Sequence, residues 1–70
     1  MEFKWEEGFK IQVIIENDSV RIIANKEGLI SLARHLTNLS KDEYRKGYHF
    51  HLDSHNSLED NSKELVIEKG

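Results

Sequence analysis

The spacing of apolar residues changes twice along this chain, and each change sets an element. Phe9, Ile11, Val13 and Ile15 alternate with Lys10, Gln12, Ile14 and Glu16. A period of two belongs to a strand that buries one face. Phe3 and Trp5 share that parity, which predicts an earlier strand start with a bulge at Glu7-Gly8. Asn17-Asp18 supplies the turn, since both residue types tolerate the left-handed backbone of tight hairpins. Ser19 to Ala24 returns as a second strand, with Val20, Ile22 and Ala24 inward. After Asn25 the period lengthens. Leu29, Leu32, Ala33, Leu36 and Leu39 recur at helical spacing, with Ser31, Arg34 and Asn38 opposite. Asn25 reads as the N-cap, Glu27 suits the positive helix end, and the helix spans residues 26 to 40. A helical glycine such as Gly28 costs about 1 kcal/mol against alanine. It reads either as a close approach to another backbone or as tolerance at a frayed end. His35 flanks the apolar stripe as a rim residue, and Trp5 and Tyr44 read as caps over the edges of the core.

The period returns to two at Gly47 to Asp53. Tyr48, Phe50 and Leu52 face inward, and His49, His51 and Asp53 face outward. Ser54 to Asn61 is a polar loop anchored by Leu58. A last strand over residues 62 to 68 sets Leu65 and Ile67 against Val66. The order strand, strand, helix, strand, strand predicts one α+β domain over residues 1 to 70. Its architecture is two-layer: a four-stranded, mostly antiparallel sheet with the amphipathic helix on one face. An antiparallel sheet tolerates one open face. That face would carry Ile14, Ile23 and Val66 among Arg21, His49, His51, Glu64 and Glu68. It reads as an interface with a partner or a second copy, or as ordinary aliphatic scatter.

Composition narrows the function classes. A chain of 70 residues buries only about 60% of its unfolded surface, so the core is thin. Cysteine and proline are both absent, which excludes disulfides and thiolate metal sites and fits a reducing, cytoplasmic setting. No apolar run approaches the roughly 18 residues of a membrane span. Met1 to Glu6 lacks the features of a signal peptide, so no membrane association is expected. Thirteen acidic and ten basic residues leave a net charge of −3. Nucleic-acid binding is not expected, because it needs a basic stripe to displace counterions.

Three histidines within seven residues are the densest chemistry. His49 and His51, two apart on a strand, lie about 6.6 Å apart at the backbone and can share an ion. Asp53 lies about 13 Å from His49 along a regular strand, and zinc needs three or four ligands. His55 would have to supply another. The set does not close, so neither a metal nor any other cofactor is expected, and a solvated or interfacial histidine row is the favoured reading. No nucleophile elbow and no phosphate loop appears. A domain of this size rarely encloses the roughly 300 Å³ of a small-molecule site, so no enzyme and no catalytic residue is expected. Imidazoles titrate near pH 6.5, so an interface built on them should change strength between about pH 5.5 and 7.5.

Four segments then carry a resemblance: Asn25-Lys26-Glu27-Gly28-Leu29-Ile30-Ser31-Leu32-Ala33, Gly47-Tyr48-His49-Phe50-His51-Leu52-Asp53, Asn56-Ser57-Leu58-Glu59 and Ser62-Lys63-Glu64-Leu65-Val66-Ile67-Glu68. Together they resemble the bacterial immunity protein 32 family over residues 20 to 68, with the block from Gly47 to Glu68 the most specific. Met1 to Asp18 carries no resemblance. The resemblance implies an α+β immunity protein of a polymorphic toxin system, held in the producing cell's cytoplasm, that neutralises a cognate toxin by binding it. The expected binding surface is the open sheet face with the strand and loop from His49 to Asn56: His49, His51, Asp53, His55, Asn56 and Glu64. Glu59 and Asp60 would add acidic complementarity to a basic toxin. The alternatives are a small metal-binding domain or a homodimer through the open face.

Overall fold

Asn17 and Asp18 both take positive φ, 48° and 66°, the backbone of a two-residue hairpin turn whose twist matches its strands. They join β1 (Ile11–Glu16) to β2 (Ser19–Ala24), antiparallel, with Ile11 opposite Ala24 and Glu16 opposite Ser19. The computed structural model describes all residues, Met1–Gly70. Helix α1 (Lys26–Leu39), β3 (His49–Leu52) and β4 (Leu65–Glu68) follow. The element order and the α+β class are those expected.

The expected single four-stranded sheet is not formed. β1 pairs only with β2, and β3 pairs antiparallel with β4, as two separate two-stranded sheets. The reason lies on the outer edge of β1. Glu59 donates its backbone N–H to the Ile11 carbonyl at 2.8 Å, and Lys63 donates to the Val13 carbonyl at 2.8 Å. The Val13 N–H donates to Ser62 Oγ at 3.1 Å. An irregular segment, bent by the positive φ of Asn61 (68°), thus takes the bonds that a third strand would need. It also delays the last strand, which begins at Leu65 rather than Ser62. The open face expected of one sheet is therefore divided: Ile14, Arg21 and Ile23 belong to the hairpin, and His49, His51, Val66 and Glu68 to the second sheet, with Glu64 just before β4.

The helix is also turned from its expected phase. Its buried residues are Gly28, Ser31, Leu32, His35 and Leu39, while Leu29, Ala33 and Leu36 are exposed. The N-terminal segment explains the rotation. It forms no strand. Residues 1–10 cross the helix as a strap, with a turn at Glu7-Gly8 where Gly8 has φ 79°. The Glu6 N–H donates to Ser31 Oγ at 2.8 Å, and Arg34 donates to the Lys4 carbonyl and the Glu6 carboxylate. Ser31 and His35, read from sequence as surface positions, are wholly buried beneath it. The core joins Ile11, Val13, Leu32, Leu39, Phe50, Leu52 and Leu58, with Trp5, Phe9, Tyr44, Leu65 and Ile67 packed around it. Val20 and Ile22, expected inward, stay exposed, as does Tyr48.

Gly28 marks a close approach. A Cβ there would overlap the Lys10 carbonyl oxygen and lie 2.9 Å from Ile11 Cγ1. Gly28→Ala should therefore lower stability by roughly 1–3 kcal/mol, as overpacking does, instead of raising it by the roughly 1 kcal/mol that helix propensity predicts. Urea unfolding of the two chains decides between the signs.

His35 is the buried group with no partner: neither ring nitrogen has one. Phe3, Trp5 and Phe50 surround the imidazole edge-to-face, at centroid distances of 4.8, 4.4 and 6.3 Å. Burial first, and the Arg34 charge second, hold its pKa below the usual 6.5. The unfolded chain therefore binds the proton more readily than the folded one, and stability falls as pH drops below about 6.5. His35→Phe should flatten this slope between about pH 6.5 and 5.5, above the range where carboxylates titrate. The two chains differ only at residue 35, so the difference between their urea midpoints isolates His35. Parallel slopes would exclude this role.

Candidate functional site

Gly47, at φ 95°, turns the chain into β3. Its N–H donates to the Lys69 carbonyl, and the Lys69 N–H to the Tyr48 carbonyl, both at 2.8 Å. These bonds extend the β3–β4 ladder by one step. Alternation along β3 then buries Phe50 and Leu52 and exposes His49 and His51, as read from sequence. The register sets His49 opposite Glu68 and His51 opposite Val66.

The outer face so formed gathers two imidazoles, two carboxylates and one aliphatic side chain. The histidine rings are near-perpendicular, with centroids 5.0 Å apart. Glu68 Oε1 lies 3.7 Å from His49 Nδ1, and Glu64 Oε1 lies 3.5 Å from His51 Nδ1. Glu64 reaches its histidine diagonally, within the span of cross-strand neighbours. Pairs this long and this exposed contribute little to stability, so the face can exchange them for partner contacts at low cost. His49 Nδ1 also lies 2.9 Å from the Gly47 carbonyl. In the neutral ring that carbonyl holds the proton on Nδ1 and leaves Nε2 as an acceptor. Val66, 45% exposed, stands among these polar groups.

Of the residues singled out in the sequence, His49, His51 and Glu64 come together here. Glu68 joins them; by sequence it falls on the open face with Glu64 and Val66, whose parity it shares, without being singled out as a binding residue. Asp53 and Asn56 lie in the adjoining loop and bond its backbone. Asp53 Oδ1 accepts the N–H groups of His55 and Asn56 at 2.9 and 3.1 Å, and its carbonyl accepts those of Ser57 and Leu58. Asn56 Oδ1 accepts the Asp53 N–H at 3.0 Å, and its Nδ2 donates to the His51 carbonyl at 3.1 Å. Both side chains fold the loop that drops Leu58 into the core. His55 sits exposed in that loop and does not reach the histidine pair, and no three histidine, aspartate or glutamate side chains converge on one point that could hold a metal ion.

Two depressions mark the surface. The smaller, about 130 Å³, is lined by Phe3, Trp5, His51, Leu52 and Asn56 and adjoins the histidine face. The larger, about 390 Å³, lies between the N-terminus and the C-terminal half of α1, with Lys4, Arg34 and Lys41 beside Glu2 and Glu43. Its mixed charges show no preference for one sign of ligand, and Arg34 is already engaged by the strap.

Among known proteins, a family model described as Immunity protein 32 matches residues 19–70. No curated protein matches, and no solved structure matches. The matched stretch includes β2, α1 and both strands of the histidine face, and it excludes β1 and the strap.

The loop bonds separate structure from recognition. Asn56→Ala should cost about 0.5–1.5 kcal/mol, the net worth of exposed hydrogen bonds whose partners water can take over. It should also speed hydrogen exchange at the Asp53 amide. Unchanged urea stability and exchange would free Asn56 from the structural role.

Proposed function

The chain belongs to the immunity protein 32 family, and from that premise we propose that it neutralises a cognate toxin of a polymorphic toxin system by binding it, without catalysis of its own. The family match carries the proposal. The place of action is the cytoplasm of the producing bacterium, where a newly made toxin is met before export. No helix is long and apolar enough to cross a membrane.

The binding surface in this reading is the outer face of β3 and β4 with the adjoining loop. Its exposed Val66 supplies a desolvated contact, and His49, His51, Glu64 and Glu68 form a polar rim around it. Such an arrangement, an apolar centre ringed by exchangeable polar groups, is that of a small recognition patch. His55 extends the rim along the loop. Glu59 and Asp60 add negative charge toward the edge of β1, which favours a basic toxin surface.

The test is rescue. The reading frame next to this one on the source chromosome is expressed in a naive bacterium, with and without this chain. Arrest relieved by this chain supports the proposal, and an innocuous neighbour or unrelieved arrest counts against it. Val66→Lys should then weaken binding to the purified toxin about tenfold or more, the loss of a central contact. An exposed position has room for the lysine, so the melting temperature should hardly change.

A further inference from the structure

β2 has an edge that nothing covers. Asn25 donates its N–H to the Lys10 carbonyl, so residues 10 and 25 form a bonded pair, and bonded pairs alternate along an antiparallel ladder. Gln12 with Ile23, Ile14 with Arg21 and Glu16 with Ser19 are therefore the bonded pairs of the hairpin. The same alternation turns the backbone groups of Ile11 and Val13 away from β2, where Glu59, Lys63 and Ser62 take them. On the other side it turns those of Val20, Ile22 and Ala24 outward, and no loop backbone bonds to them.

The side chains along this edge are equally unprovided for. Ile15, Val20 and Ile22 lie on the same side of the hairpin as the buried Ile11 and Val13, by their pairing. Yet they are 60%, 63% and 42% exposed. Proteins commonly blunt such an edge with proline, a bulge or an inward-pointing charge. β2 has no proline, its register with β1 runs unbroken, and its charged residue, Arg21, falls on the opposite side of the hairpin.

We propose that β2 is a self-association strand: a second copy of this chain adds to it antiparallel, about a two-fold axis at Ile22. The even spacing of the outward groups makes the strand complementary to itself. With Ile22 opposite Ile22 of the second copy, Val20 falls opposite Ala24, and the outward N–H and carbonyl groups of all three residues find partners. A shift by one pair in one direction would set Arg21 against Arg21, and like charges directly opposite are unfavourable. A shift in the other direction would carry Val20 past the end of the strand and lose bonds. The centred register instead sets Arg21 against Ile23. It brings Asp18 at the hairpin tip to Lys26 of the second copy, at the positive end of that copy's helix. The result is a continuous four-stranded sheet, β1-β2-β2-β1, shared by two chains. It would bury Val20 and Ile22 of both copies on the core side. Because it leaves β3 and β4 free, it is independent of the toxin-binding reading.

Sedimentation velocity of the full chain from low to high micromolar concentration tests this. A monomer–dimer equilibrium is expected, with Val20→Lys weakening it about tenfold or more and Val66→Lys leaving it unchanged. The chain has no cysteine, so Ile22→Cys reports the register. Bonded antiparallel pairs place their Cα atoms about 5.5 Å apart, within disulfide range, and mild oxidation should give a cross-linked dimer. A monomer at every concentration would overturn the proposal. So would a dimer insensitive to Val20→Lys, or one in which Ile22→Cys does not cross-link.

Discussion

The fold turns on one amide. Asn25 Oδ1 accepts the N–H of Gly28 at 2.8 Å, which caps the helix, and the N–H of Lys10 at 2.9 Å, which fixes the start of β1. Its Nδ2 donates to the Gly8 carbonyl at 2.9 Å and so sets the turn of the strap. A serine or aspartate would cap the helix as well, but neither has the amide donor for Gly8. The cap works only because Gly28 lets the helix come against the Lys10 carbonyl. Asn25 and Gly28 thus settle together where the helix begins and how near the hairpin it lies.

That close seam dictates what happens further along the helix. With its first turn pressed onto β1, α1 presents Leu32, His35 and Leu39 to the core rather than the stripe led by Leu29 and Leu36. The strap then closes over His35 with aromatic rings and hydrogen bonds to Ser31 and Arg34. Only ten of the seventy residues are buried, so a thin core depends on this cover more than a larger one would. A neutral imidazole among aromatic rings is tolerated there, while a charged one is costly, so the stability of this covered core falls as pH falls. The family match begins at residue 19, so the strap and β1, which cover His35 and meet the first turn of α1, lie outside the matched stretch.

Local chemistry was legible in the sequence, and long-range pairing was not. The turn at Asn17-Asp18, the cap at Asn25, the burial of Phe50 and Leu52 and the anchor at Leu58 all follow from residue type and short spacing, whereas Gly28 leaves two readings open in the sequence and its contact with the Lys10 carbonyl decides between them. The helix phase failed because its apolar residues outnumber the places in the core. Leu29, Leu32, Leu36 and Leu39 make a better stripe on paper than Leu32, His35 and Leu39, and the seam with β1 together with the strap chooses between them. The single sheet failed because alternation says which face a strand buries and nothing about its neighbour. No short-range signal shows that Glu59 to Lys63 takes the edge of β1. The histidine face itself was readable, since alternation along Tyr48 to Asp53 suffices to expose His49 and His51. The loop bonds of Asp53 and Asn56 follow from their type, short polar side chains that bond their own backbone neighbours.

Two unsatisfied surfaces remain after folding, and they are unlike in kind. On the outer face of β3 and β4 what is offered is side-chain chemistry of mixed sign around one valine. Such a surface selects by complementarity, and it can vary between relatives without disturbing the backbone. On β2 the side chains are simple aliphatics, and what is offered outward is the backbone itself, which selects for an extended strand of almost any sequence. A protein that must recognise one partner among many is better served by the first kind of surface, because backbone bonds alone discriminate poorly. The second kind, left bare, invites indiscriminate pairing. Covering β2 with a second copy would remove that hazard and leave the histidine face as the surface that decides the partner.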